Sequence, residues 1–140
     1  MADILHEVTI AVSPEQVYKA VTEQDGLASW WTKRTVAQPK VGTTSEFGFM
    51  GGQFTMKMKV TKLEPFKEVD WDVLQSGPDW AGTHITWDFT PVDSSTKVLF
   101  GHRDWTITDG SYASVNYNWG HFLTSLKSYL ETGKGTPDAS

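Results

Sequence analysis

The stretch ILHEVTIAV, residues 4–12, alternates: Ile4, Val8, Ile10 and Val12 share one parity, while Glu7 and Thr9 take the other. Period two marks a half-buried strand. The pattern then changes. Ser13 is a good N-cap, Pro14 takes the first helical position, and Gln16 completes a capping box. A short helix follows, with Val17, Ala20 and Val21 as its apolar stripe. Asp25-Gly26 interrupts it, and LASWW continues as a second short helix with Leu27, Trp30 and Trp31 spaced i, i+3, i+4. Neighbouring helical side chains point about 100° apart, so two adjacent indoles do not fill the same hole. The expectation is that Trp30 wedges between the short helices and the sheet while Trp31 lies at the mouth of a cavity.

From residue 36 to about 105 the period is two throughout. Gly51-Gly52 separates SEFGFM from QFTMKMKVTKL and signals a hairpin. Phe54, Met56, Met58 and Val60 share one face of the second strand, against Thr55, Lys57, Lys59 and Thr61. EVDWDVL groups Val69, Trp71 and Val73, SGPDWAG reads as a loop, and THITWDFTP sets Ile85, Trp87 and Phe89 against His84, Thr86 and Asp88. TKVLFGHRDW leaves two parities open: Val98, Phe100, His102 and Asp104, or Leu99, Gly101, Arg103 and Trp105. Short turns between sequential strands imply an antiparallel meander.

The chain closes with a predicted helix over 110–132. Tyr112, Val115, Asn116, Trp119, Phe122, Leu123, Leu126 and Leu130 form its stripe; Asn118, His121, Thr124, Ser125 and Ser128 fall beside or opposite it. Gly133 is the expected stop, and 133–140 reads as a loose tail. The fold class is therefore α+β, in one domain spanning 1–140. A curved antiparallel sheet of about six or seven strands wraps a long C-terminal helix, with two short helices after the first strand. A helix across such a sheet leaves an elongated cavity beneath it.

Composition narrows the function. The 140 residues suit one domain, and the absence of cysteine removes disulfides and thiolate chemistry. A net charge of −5 argues against nucleic acid or an anionic membrane as the main partner. The first residues, MADILHEVTI, resemble no leader, and no stretch is long enough to span a bilayer; a cytoplasmic protein is expected. Seven Trp residues supply large apolar area with a polar handle, useful in a core and in a pocket wall alike.

The pattern VTIAVSPEQVYKAVTE…GLASWWT, the hairpins, the strand ending FGHRDW and the terminus NWGHFLTSLKSYLETGKGTP resemble the SRPBCC, or START-like, superfamily. Its helix-grip fold is shared with the birch-pollen allergen. Within it the chain is most similar to the family named after the C-terminal domain of the activator of the heat-shock-protein-90 ATPase. The resemblance runs essentially end to end. It implies a hydrophobic cavity between sheet and long helix, where superfamily members bind lipids, hormones or polyketides and a few catalyse cyclisation or hydrolysis. The family name points to a chaperone partner.

Three sets of candidate residues follow. His102 and Asp104, on one strand face if the family pattern holds, could form an oriented general base; the competing reading gives both structural roles. Asn116, inside the helical stripe beside Tyr112, is either a satisfied core amide or a polar contact to a ligand. The wall of Phe47, Phe49, Met56, Met58, Trp71, Trp87 and Phe89, with Trp31, Phe100 and Trp119, suits an adaptable apolar pocket and reads equally as packed core. His84 faces outward by parity and His121 lies opposite the stripe, so neither converges with His102 on a metal site. G-x-S-x-G, the P-loop and G-x-G-x-x-G are absent from the sequence, and no cofactor is expected. The leading expectation is a non-catalytic binder of a small hydrophobic molecule, lipid-like or aromatic. The alternatives are a cavity enzyme using His102 and Asp104, and a chaperone-associated interaction module.

Overall fold

A computed structural model describes residues 1–75 and 79–139, with only the backbone of Gln75. Of the SGPDWAG loop, Ser76, Gly77 and Pro78 lie outside the described residues. In chain order the elements are β1 (Ala2–Ile10), α1 (Pro14–Thr22), α2 (Gln24–Trp30), β2 (Arg34–Val36), β3 (Thr44–Phe49), β4 (Phe54–Glu64), β5 (Glu68–Gln75), β6 (His84–Val92), β7 (Ser95–Trp105) and α3 (Tyr112–Thr132). The strands form one seven-stranded antiparallel sheet in the order β1-β7-β6-β5-β4-β3-β2. This is the expected helix-grip arrangement: a meander from β2 to β7, closed on the β7 side by the N-terminal strand.

Local chemistry accounts for the short helices. The Ser13 hydroxyl accepts the Gln16 N–H and the Gln16 side chain returns to the Ser13 backbone, the predicted capping box. Gly26 then allows α2 to fold tightly onto α1, because a Cβ there would stand 2.7 Å from the Ala20 Cα. The Trp30 indole N–H donates to the Ala20 carbonyl at 2.8 Å, locking the same contact from inside the core.

Period two holds along β4 as far as Val60, where the register with β5 shifts, and along β5 and β6; the inward residues Met56, Met58, Val60, Val69, Trp71, Ile85, Trp87 and Phe89 are all buried. In β7 it breaks. Ile4 pairs with His102 and Ala2 with Trp105, so two residues of β7 stand opposite Asp3 alone. This is a bulge, and Asp104 takes the left-handed φ of 69° that it requires. The inward series is therefore Val98, Phe100, His102 and then Trp105. Asp104 is turned to the outer face, where its carboxylate lies 3.4 Å from His84.

Helix α3 buries Val115, Trp119, Leu123, Ser125 and Leu126. Its neighbouring ridge does something the pattern did not suggest: it covers the free edge of β1. The Tyr112 hydroxyl donates to the Asp3 carbonyl, Asn116 pairs with His6 at 2.8 Å, Lys127 donates to the Thr9 carbonyl, and Glu131 accepts from the Ala11 N–H. An edge strand otherwise offers unpaired backbone groups to other chains, and Tyr112, Lys127 and Glu131 occupy three of them.

The segment after Gly133 is tied down rather than loose. Asp138 forms a parallel bridge with Thr32, exchanging backbone hydrogen bonds with Lys33 and Trp31. The Ser125 hydroxyl donates to the Trp30 carbonyl and accepts from the Thr136 N–H. A buried helix hydroxyl thus clamps the tail against α2, a contact that composition could not reveal.

Candidate functional site

The site is built from the side chains between α3 and one end of the sheet. Trp31 caps α2, with its N–H donating to Leu27. Its ring stacks on Trp30 (centroids 5.8 Å, planes 11° apart) and on Trp71 (6.2 Å, 8°), and lies 5.0 Å from Trp119. The adjacent indoles therefore share one aromatic core. The Cα–Cβ bonds of adjacent helical residues diverge, but the long indole side chains still meet beyond them, as the 5.8 Å stack shows.

Beyond Trp31 a cavity of about 410 Å³ opens, a volume within the range of small-molecule sites. Its wall is drawn from Trp31 at the α2 cap, Phe49 of β3, Phe54 and Met56 of β4, Trp80 of the β5–β6 loop, and Val115, Trp119 and Phe122 of α3. Met50, Asn118, His121 and Asp138 complete the lining. Met50, Asn118 and His121 are exposed whereas Trp31 is only 2% exposed, so Trp31 forms the inner end and not the mouth. A second depression, of about 630 Å³ between α2 and the tail, is shallower and lined by Asp25, Ser29, Lys33 and Lys134 among others; it lacks aromatic walls except for Tyr129.

Trp80 owes its place to two anchors. The Asp79 carboxylate accepts the Ser111 N–H (2.6 Å) and hydroxyl (2.9 Å) at the start of α3, a cap delivered from a distant loop. Those bonds hold the Asp79 carboxyl below the usual carboxylate range. On the other side the Thr83 hydroxyl donates to the Trp80 carbonyl.

His102 is fully buried beside this wall, not in it. Its Nδ1 accepts the Trp119 indole N–H at 3.1 Å, so Nε2 carries the ring proton and donates to the Thr83 hydroxyl at 2.8 Å. The Trp105 indole donates to the His102 carbonyl. Burial first, and the nearby His84 second, push the imidazole down to about 3. Both ring nitrogens are engaged and Asp104 is on the opposite face, so the proposed acid–base pair is not assembled.

The other expected site residues divide as follows. Trp31, Phe49, Met56 and Trp119 line the cavity. Phe47, Met58, Trp71, Trp87, Phe89 and Phe100 are packed core behind it. Tyr112 lies edge-on to Trp105 and bonds β1. Asn116 is exposed rather than inside the stripe, because α3 turns that ridge toward His6 at the sheet edge.

With this geometry in view, comparison with known proteins gives a clear answer. The model of the family described as activator of Hsp90 ATPase homolog 1-like protein matches residues 11–131. The chain belongs to this family. Among solved structures it is similar to the Aha1 dimer from Colwellia psychrerythraea, with 42% identity and a TM-score of 0.88 over 96% of this chain and 100% of that one. Protein SSP2350 from Staphylococcus saprophyticus (19% identity, TM-score 0.80, 96% of each chain) and MLL2253 from Mesorhizobium loti (20%, 0.81, 92% and 96%) share the fold. No curated protein matches the chain.

In this Aha1-like chain, sequence reasoning missed Met50, Phe54, Trp80, Val115, Asn118, His121, Phe122 and Asp138 as cavity residues. Phe54 shares the parity of Met56, and Val115 and Phe122 belong to the apolar stripe, so those three carried a usable signal. Trp80 and Asp138 sit in a loop and a tail, where no periodicity reports direction. His84 does face outward as its parity predicts, held between Asp72 (2.7 Å) and Asp104 (3.4 Å). Among the described residues, no helix is long and apolar enough to cross a membrane, and no group of three or more His, Cys, Asp or Glu could hold a metal ion.

Proposed function

We propose that this protein binds a small hydrophobic molecule in the cavity between α3 and the β3–β4 end of the sheet, without catalysing its conversion. The observation that carries this reading is the 410 Å³ space itself, left open among Trp31, Phe49, Phe54, Trp80, Trp119 and Phe122. Closing that space with protein side chains would bury more apolar surface, so leaving it open costs stability. Superfamily relatives use the corresponding space for hydrophobic ligands, which supports the same use here. Native mass spectrometry against panels of lipid-like and aromatic compounds tests the reading. Retention of one class at 1:1 stoichiometry is expected, and failure of every compound to bind would contradict it.

A catalytic reading finds no support in His102 and Asp104, which lie on opposite faces of β7. A second reading, on assembly, rests on the Colwellia relative, which is a dimer. At 42% identity over 96% of this chain, we infer that it also pairs with a second copy. Light scattering across a concentration series should give twice the 15.7 kDa chain mass; a monomer at every concentration would refute it. A chaperone partner is suggested by the family description alone. Lys57, Lys59, Asp72, Asp88 and Arg103 make outward positions of the sheet charged, which adds nothing to that suggestion.

A further inference from the structure

We propose that the cavity selects flat aromatic molecules bearing an uncharged hydrogen-bonding group and rejects carboxylates, with Asn118 and His121 as the specificity-determining side chains at its mouth. This rests on the ligand-binding reading above and deepens it. The apolar wall is mostly aromatic: Trp31, Phe49, Phe54, Trp80, Trp119 and Phe122. Aromatic pairs in offset or edge-to-face contact gain energy beyond the area they bury, so such a wall favours a ring over a saturated chain of equal size.

Charge decides the rest. Among the described lining residues there is no Lys or Arg, and Asp138 places a carboxylate there that accepts from the Met50 N–H at 3.2 Å. A fatty acid or aromatic acid entering this space would lose its hydration, and none of the described lining residues is a Lys or Arg that would replace it. A hydroxyl or amide needs only a hydrogen-bonding partner. Asn118 and His121 provide two, three residues apart on the exposed side of α3, where both reach the lining. Among the described residues the Asn118 amide has no hydrogen-bond partner, and the one aromatic ring that the His121 ring meets is Phe122. Deeper in, the Trp119 N–H is already committed to His102. The open polar capacity on α3 is therefore at the mouth, and an amphipathic ring would enter apolar end first.

Isothermal titration with naphthalene, 2-naphthol, 2-naphthoate and dodecanoate tests this. Binding of 2-naphthol should be at least about 10-fold tighter than that of either carboxylate. The double variant Asn118→Leu, His121→Leu changes only exposed positions. It should weaken 2-naphthol by about 10-fold and leave naphthalene within about twofold. Equal or tighter binding of 2-naphthoate or dodecanoate would overturn the selectivity while leaving the binding reading intact. Loss of naphthalene and 2-naphthol together in the double variant would overturn the roles of Asn118 and His121. If none of the four binds wild-type protein, the binding reading itself falls.

Discussion

The indole N–H of Trp119 donates to Nδ1 of His102 at 3.1 Å and so determines which nitrogen of a buried imidazole carries the proton. The bond joins the long helix to the last strand through the centre of the core. It also turns His102, which a pattern of residue types offers as a base, into a neutral structural link. With its pKa pushed down to about 3, His102 should show the chemical shifts of the neutral Nε2–H tautomer at about pH 5, where a free imidazole is largely charged.

The same shift has a consequence for stability. The unfolded chain protonates this histidine below about 6.5, whereas the folded chain does so only near 3. Stability is present above the unfolded value and is lost as the pH falls from about 6.5 toward 3. Chemical denaturation at a series of pH values should show this decline. Replacing His102 with Gln, which offers an acceptor and a donor but no titration, should flatten it.

On the outer face Asp70 behaves oppositely. Burial, then hydrogen bonding and repulsion from Glu68, raise its carboxyl to about 6, and one of its oxygens has no partner. Its contribution is fully present below about 3.9 and is lost as the pH rises through 6. Asp70→Asn should therefore stabilise the fold at neutral pH and have little effect near pH 4, as read from the denaturation midpoint in each buffer.

Trp31 is a hub of the core. Its ring meets those of Trp30, Phe47, Phe49, Trp71 and Trp119. Trp31→Ala should cost about 3–5 kcal/mol, a large part of a typical domain's stability. A thermal melt little changed from wild type would return Trp31 to the role of a peripheral gate.

The tail makes a separate prediction. Because the Lys33 N–H donates to the Asp138 carbonyl and the Met50 N–H to its carboxylate, removing residues 137–140 should speed hydrogen exchange at those two amides first. Unchanged exchange at Lys33 would show that the tail bridge is not formed in solution.

How much of this was legible in the sequence depends on where a residue sits relative to a regular period. The parity of Met56, Met58, Trp71, Trp87 and Phe89 holds because the register shifts between β4 and β5 fall outside the runs Met58–Val60 and Trp71–Val73, and β6 pairs without a shift. Asp104 escapes because one extra residue at a bulge reverses parity, and Asp is among the residues that accept the left-handed conformation there. Asn116 escapes because a helical stripe gives an angle, not the neighbour at that angle; here the neighbour is the edge of β1. Half of the cavity wall was visible as apolar periodicity on β3, β4 and α3. Trp80 and Asp138 depend on hydrogen bonds between segments far apart in sequence, through Asp79 to Ser111 and through Asp138 to Lys33.

The central claim is that the space beside Trp31 and Trp119 is a binding site. Val115 lines it while being 8% exposed, so a larger side chain there would grow into the void. The most direct test is a two-dimensional NMR titration with naphthalene of wild type and Val115→Trp, with the Trp31 and Trp119 indole signals as reporters. The account predicts saturable shifts of both signals in wild type and none in a folded, equally stable Val115→Trp variant. Identical shifts in the filled variant, or none in wild type, would contradict it.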